Sequence, residues 1–239
     1  MRIKKFTLIR KLASLSEEAF RSHWKGSHGA LVAGLPVFWK YTDRYVQNHP
    51  VKLRAPFPAE FDYDGVVESW QRPRPDMRVA LNDDPDYLRY IRPDEDRFVD
   101  VSRSTIVYAE ERVMLDGPET AIKYLAFVRR RLDLTQEQFS QYWQERHAAF
   151  ALGTAAFGRY VRRYVQNHGR AELSRGMTRS GYTADFAGVT QLWFDSVSDA
   201  ESFFSDPEFV ATASADEANF ISLPTFGLIA QAHEFFPPS

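Results

Sequence analysis

The sequence predicts an α+β fold made of two tandem β-α-β-β-α-β units within one chain, and three observations carry that prediction. The segment YVQNH occurs at residues 45–49 and again at 164–168. It lies inside a longer repeat: Phe20, Trp24, His28, Tyr41, Arg44 and His49 recur as Phe139, Trp143, His147, Tyr160, Arg163 and His168, each 119 residues on, and 16 of the 40 positions from Arg10 to His49 match without a gap. Each copy also carries the same order of strand-like and helix-like patterns. Two copies of about 110 residues form a duplicated domain, because a solenoid needs at least three stacked repeats.

Residues 6–10 and 124–129 alternate as first strands. Ser16 and Thr135 then stand at helix N-caps, with Glu17, Glu18 and Glu137 favouring the positive helix end and Thr135 and Gln138 forming a capping box. The helix that follows carries Phe20, Trp24 and His28, or Phe139, Trp143 and His147, at spacings that share one face. Gly34 and Gly153 are its expected stops. Residues 41–49 and 160–168 read as second strands. GVVESW at 65–70 and GVTQLW at 188–193 read as third strands, the offset growing to 123 through a longer loop in the second copy. Asp83-Asp84-Pro85 and Ser205-Asp206-Pro207 open a second helical stretch, and last strands fall near 104–111 and 226–233. This is the split β-α-β, ferredoxin-like order, with helices on one sheet face. The bare face of each sheet needs cover, and the other copy supplies it. A linker near Gly117-Pro118 divides the chain into repeats at 1–115 and 120–239.

Composition narrows the function. A net charge of −2 over 239 residues offers no basic stripe for nucleic acid, the run Arg129–Arg131 being short. Cysteine is absent, which removes disulfides, thiolate nucleophiles and thiolate metal ligands together. No segment approaches the roughly 20 apolar residues of a membrane span, so a cytoplasmic protein is expected, with no membrane partner. Aromatic residues make up 15% of the chain, enough to line a cavity as well as fill a core.

The combination of Phe-x-x-x-Trp-x-x-x-His on the first helix, Tyr-Val-Gln-Asn-His on the second strand and Gly-x-x-x-x-Trp on the third resembles the EthD domain of the dimeric α/β-barrel superfamily, here in tandem over nearly the whole chain. The resemblance implies an intrachain barrel with ligands between sheet and helices. It also implies either dehydratase chemistry in aromatic polyketide formation or an oxidoreductase role, cofactor-free or with haem.

The candidate catalytic residues are His28, Tyr45, His49, Asp64 and Glu68 in the first copy and His147, Tyr164 and His168 in the second. Imidazole exchanges protons near neutrality, which suits proton removal next to a carbonyl; tyrosine can polarise that carbonyl, and a carboxylate can steady the imidazolium. Phe20, Trp24, Trp70, Phe139, Trp143 and Trp193 are the candidate walls for a small hydrophobic or aromatic ligand. Asp64 and Glu68, opposite Ala187 and Gln191, favour the first copy as the working site. No metal motif or glycine-rich nucleotide loop is present, so no cofactor is expected, with haem or a metal as the alternative. A lyase or dehydratase leads; an oxidoreductase and a non-catalytic binding module stay open, as do the inward face of the second strand and any further homodimer.

Overall fold

The computed structural model describes residues 2–54, 61–73, 81–174 and 186–238. Eight strands, β1 (Ile3–Ile9), β2 (Thr42–Pro50), β3 (Gly65–Gln71), β4 (Thr105–Leu115), β5 (Ile122–Arg130), β6 (Arg163–Gly169), β7 (Gly188–Phe194) and β8 (Ile221–Phe235), close into one barrel. Around the barrel the order is β4-β1-β3-β2 and then β8-β5-β7-β6, every pair antiparallel. The seams are β2 with β8 and β4 with β6. The two sheets therefore face each other and also join along both edges, which leaves no unpaired edge strand.

Helices cover the outside of the barrel. Helix α1 occupies residues 17–34, and α2 spans Pro36–Tyr41. Helix α3 occupies residues 87–95, α4 residues 136–152, and α5 spans Ala155–Tyr160. Helices α6 (Val197–Phe204) and α7 (Pro207–Glu217) complete the second half. Ser16 and Thr135 cap α1 and α4 as expected, with the full capping box at Thr135. In each of these helices the Trp-to-His stretch of the motif, Trp24–His28 or Trp143–His147, is wound as a π-helix. Such local widening recurs at functional sites. Gly34 and Gly153 are not left-handed caps. Leu35, the residue before Pro36, turns extended at φ −99° and ψ 119° and ends α1, while Gly153 is right-handed at φ −80°. Among the described residues no helix is long and apolar enough to cross a membrane.

Strand alternation sorts the motif residues. Tyr45, Gln47 and His49 face the helices, and Val46 and Asn48 face the barrel interior. Inside lie the apolar residues Phe6, Leu8, Val66, Val107, Leu125, Phe127, Val189 and Leu228. At one level they give way to a buried polar cluster. Glu68, fully buried, is ion-paired to Lys123 and to Lys4 at 3.7 Å, and accepts from Gln191 Nε2 at 2.8 Å and Asn48 Nδ2 at 2.9 Å. Lys4 also donates to Gln191 Oε1 at 2.7 Å and meets Glu111 at 2.5 Å, and Asn167 Nδ2 donates to Gln191 Oε1 at 2.9 Å. Burial alone would raise the Glu68 carboxyl, but Lys123 and Lys4 hold it at about 2.

The glycine of the third-strand motif is explained by close approach. A Cβ on Gly65 would stand 2.3 Å from the Trp24 ring, and one on Gly188 would stand 2.5 Å from the Trp143 ring. In each copy the glycine of the third strand and the tryptophan of the first helix form one packing unit, an indole seated on bare backbone.

Two outcomes test this core. Glu68→Gln leaves Lys123 without its carboxylate and should cost roughly 3–5 kcal/mol in urea denaturation, as breaking a buried pair does. Gly188→Ala should cost roughly 1–3 kcal/mol by overpacking against Trp143. A Glu68→Gln variant as stable as the parent would contradict the account of the barrel centre.

Candidate active sites on the outer wall

Two cavities lie between the outer barrel wall and its helices, one in each half. The first, of about 120 Å³, is lined by Trp24 and His28 of α1, Lys5 of β1, Tyr45 of β2, and Tyr87 and Glu95 of α3. The second, of about 360 Å³, is lined by His147 of α4, Tyr124 of β5, Tyr164 of β6, and Phe209 and Glu217 of α7. Phe150, Phe157, Phe204 and Leu192 make most of its remaining wall apolar.

Each cavity contains a histidine held by an aspartate. His28 Nδ1 lies 2.9 Å from Asp94 Oδ2, and His23 Nε2 lies 3.0 Å from Asp94 Oδ1. His147 Nδ1 lies 2.6 Å from Asp216 Oδ2, and the Tyr142 hydroxyl donates to Asp216 Oδ1 at 2.9 Å. A carboxylate only accepts, so Nδ1 carries the proton in both histidines and Nε2 is left as the basic atom. The hydrogen bond from His147 holds the Asp216 carboxyl below its usual range. Burial pushes His28 below its ordinary value against the pull of Asp94, so the ring is a neutral base.

The YVQNH strand aims the tyrosines. Gln47 Nε2 donates to the Trp24 carbonyl at 2.9 Å and to the Tyr45 hydroxyl oxygen at 2.8 Å, and Gln47 Oε1 lies 3.0 Å from His49 Nε2. Gln166 repeats the pattern with the Trp143 carbonyl (2.8 Å), Tyr164 (2.7 Å) and His168 (3.1 Å). The tryptophan carbonyl can only accept, which fixes the amide orientation. It follows that His49 and His168 donate from Nε2, and that the tyrosine oxygen accepts from the glutamine, so the phenolic proton is not used in that bond. Tyr45 and Tyr164 both line their cavities, and burial raises both phenols.

The remaining expected site residues stand apart from these cavities. His49 and His168 lie tilted against Trp24 and Trp143 with centroids at 4.1 and 4.7 Å, and burial holds both at about 3. They are neutral struts. Glu68 cannot assist a histidine, because strand parity turns it into the barrel while His28 lies outside. Asp64 accepts from the Lys11 backbone N–H at 2.9 Å and ties the chain before β3 to the chain after β1. The carboxylate argument for the first copy therefore fails. Trp70 and Trp193 share the inward parity of Glu68 and Gln191, and Trp70 Nε1 donates to Glu111 at 3.2 Å. Phe20 and Phe139 are wholly buried beside Trp24 and Trp143, and of these six aromatic residues Trp24 lines a cavity.

Sequence reasoning missed the carboxylates that matter. Asp94-Glu95 and Asp216-Glu217 are 122 residues apart, the interval that also separates Asp84-Pro85 from Asp206-Pro207. That shared interval was the available signal. Burial raises both Glu95 and Glu217, and Glu95 receives the Tyr87 hydroxyl at 2.5 Å. Among the described residues no group of three His, Cys, Asp or Glu side chains is placed to hold a metal ion.

A family model described as EthD domain matches residues 12–102 and again residues 131–224. The chain is 33% identical over 116 residues to the conidial pigment biosynthesis dehydratase EthD of Metarhizium robertsii, covering 44% of this chain and 80% of that protein. It is 32% identical over 115 residues to the dehydratase aurZ of Gibberella zeae, covering 43% and 74%. Among solved structures, an anthrone oxidase-like protein superposes with a TM-score of 0.60 at 11% identity, over 98% of this chain and 93% of the other. At that identity the likeness is one of fold.

The neutral histidines make stability depend on pH. The unfolded chain protonates His49 and His168 near 6.5, whereas the folded chain does so near 3. Stability is therefore full above 6.5 and falls as pH drops towards 3, by about 1.4 kcal/mol per pH unit for each ring. Urea midpoints at pH 7, 6 and 5 should fall in the parent and flatten in the double variant His49→Gln with His168→Gln. An unchanged slope in the double variant would refute the assignment.

Proposed function

The chain belongs to the EthD-domain family, matched in both halves, and we propose that it is a dehydratase acting on a hydrophobic, aromatic or polyketide-like β-hydroxy carbonyl compound in its second cavity. One observation carries the reading: a histidine held by an aspartate, a tyrosine whose oxygen accepts from Gln166 and a half-buried glutamate line a single apolar cavity of about 360 Å³. That volume lies within the range of small-molecule sites, roughly 300–1,000 Å³. The dehydratase names of the two relatives support the same reaction class.

In this reading His147 Nε2 takes the proton α to the carbonyl while Asp216 keeps the ring oriented through Nδ1. The Tyr164 hydroxyl donates to the carbonyl oxygen as enolate charge develops there. Glu217, whose carboxyl burial raises above the usual range, delivers its proton to the β-hydroxyl, which leaves as water as the carbon–carbon double bond forms. Phe150, Phe157, Phe204 and Phe209 hold the ring system and exclude bulk water. The reading uses protein side chains throughout and takes no cofactor. The two YVQNH strands and both family matches support a division into ferredoxin-like repeats at 1–115 and 120–239, each bringing its own copy of the constellation.

The test is dehydration of a β-hydroxy aryl ketone, followed by the absorbance of the conjugated product. His147→Ala should lose roughly 100-fold or more in kcat, and Asp216→Asn and Tyr164→Phe smaller factors, with the fold intact. Because Glu217 acts only when protonated and its pKa is raised from 4.5, the rate should fall as pH rises through that raised value, and Glu217→Gln should remove this limb. Full activity in His147→Ala would end the proposal. A haem absorption band from the purified protein, with turnover only in the presence of an oxidant, would replace it with an oxidoreductase.

A further inference from the structure

We propose that the first cavity is a separate site that captures a small aromatic or unsaturated aldehyde or ketone as a Schiff base on Lys5. The two cavities share their histidine, aspartate, tyrosine and glutamate, but the position occupied by Lys5 in β1 is Tyr124 in β5, 119 residues on. An amine thus stands in one cavity where the other has a phenol.

The seven lysines of the chain have different environments, and one of them suits this chemistry. Lys4 and Lys123 are locked into the barrel centre by Glu68. Lys11 donates to the Leu15 carbonyl at 2.7 Å, and Lys40 to Asp84 at 3.0 Å. Lys25 and Lys52 are exposed. Lys5 lines the cavity, and its ammonium group makes no hydrogen bond or ion pair with any described residue. Burial pulls it below its usual 10.5, opposed by the charge of Glu95, which enlarges the fraction of free amine available for attack.

The surroundings supply the rest of the reaction. The Lys5 nitrogen adds to the carbonyl carbon, and a proton moves from nitrogen to oxygen to give the carbinolamine. Glu95, whose carboxyl burial raises above the usual range, passes its proton to that hydroxyl; the carbon–oxygen bond breaks, water leaves and a protonated imine remains opposite the new carboxylate. Tyr87 donates to Glu95 and steadies that carboxylate, whereas the second cavity has Phe209 at the matching position. The occupant is small. At about 120 Å³ the cavity is close to the roughly 150 Å³ apolar cavity that accepts benzene, and Trp24, Phe98 and Ile91 give it apolar walls. Water escapes and the imine hydrolyses by the reverse steps, so no oxidant or reductant is needed.

The full chain is incubated with benzaldehyde and cyanoborohydride at pH 7, and the reduced adduct is located by peptide mass spectrometry. A benzyl group is expected on Lys5, forming faster than on Lys25 or Lys52 because its lowered pKa leaves more free amine. Lys5→Met should lose this fast labelling while keeping near-ultraviolet dichroism and second-cavity dehydration. Labelling of Lys25 and Lys52 as fast as Lys5 overturns the proposal, and this ratio in the parent decides the matter even if Lys5→Met does not fold. The dehydration assay is read separately. Fast Lys5 labelling without dehydration keeps this site and removes the dehydratase, and dehydration without fast labelling does the reverse.

Discussion

The structure depends on a carboxylate that has no access to water. Glu68 sits at the centre of the barrel between Lys4 and Lys123, with Gln191 and Asn48 donating to it and Asn167 donating to Gln191. Ions so buried are tolerated only when each is paired and its remaining lone pairs are satisfied, so the cluster constrains register across β1, β2, β3, β5, β6 and β7 at once. A slip of one residue in any of these strands would send a polar group outward and an apolar one into the cluster. The same constraint accounts for the one difference between the repeats at this level. Gln191 stands opposite Glu68 because a second carboxylate within hydrogen-bonding distance of the first would be held only by the same two lysines, one of which already meets Glu111.

Fixing the inner wall fixes the outer one. With Val46 and Asn48 committed to the interior, Tyr45, Gln47 and His49 must face the helices, and the glutamine then sets the direction of the whole relay. Its amide nitrogen is tied to a tryptophan carbonyl in the π-helical turn, so the histidine donates and the tyrosine oxygen accepts. The YVQNH segment thus reads as a device for orienting a phenol, with its own histidine as support and the α1 or α4 histidine facing the cavity.

Much of this was legible in the sequence. The 119-residue interval exposed the duplication, and the caps at Ser16 and Thr135 marked the helices. The pairing of His28 with Tyr45, and of His147 with Tyr164, around one cavity was also within reach of motif reasoning. The carboxylates were not. Asp94 and Asp216 lie 66 and 69 residues from the histidines they hold, and spacing along one strand or helix cannot report a contact between α1 and α3 or between α4 and α7. Glu68 and Asp64 misled because they were near the right strands in sequence, and only the folded chain shows that one faces inward and the other accepts from the Lys11 backbone beyond β1. Lys5 was hidden beside Lys4, since two adjacent lysines on a strand look alike until one is seen to enter the core and the other a cavity.

The central claim is that chemistry belongs to the outer wall of this barrel and the interior is structural. A crystal structure of the chain soaked with an unreactive bicyclic hydroxyaryl ketone tests it most directly. The account predicts ligand density between β5, β6 and the helices α4 and α7, with the carbonyl oxygen near the Tyr164 hydroxyl and the carbon chain near His147. Density inside the barrel beside Glu68 would contradict it.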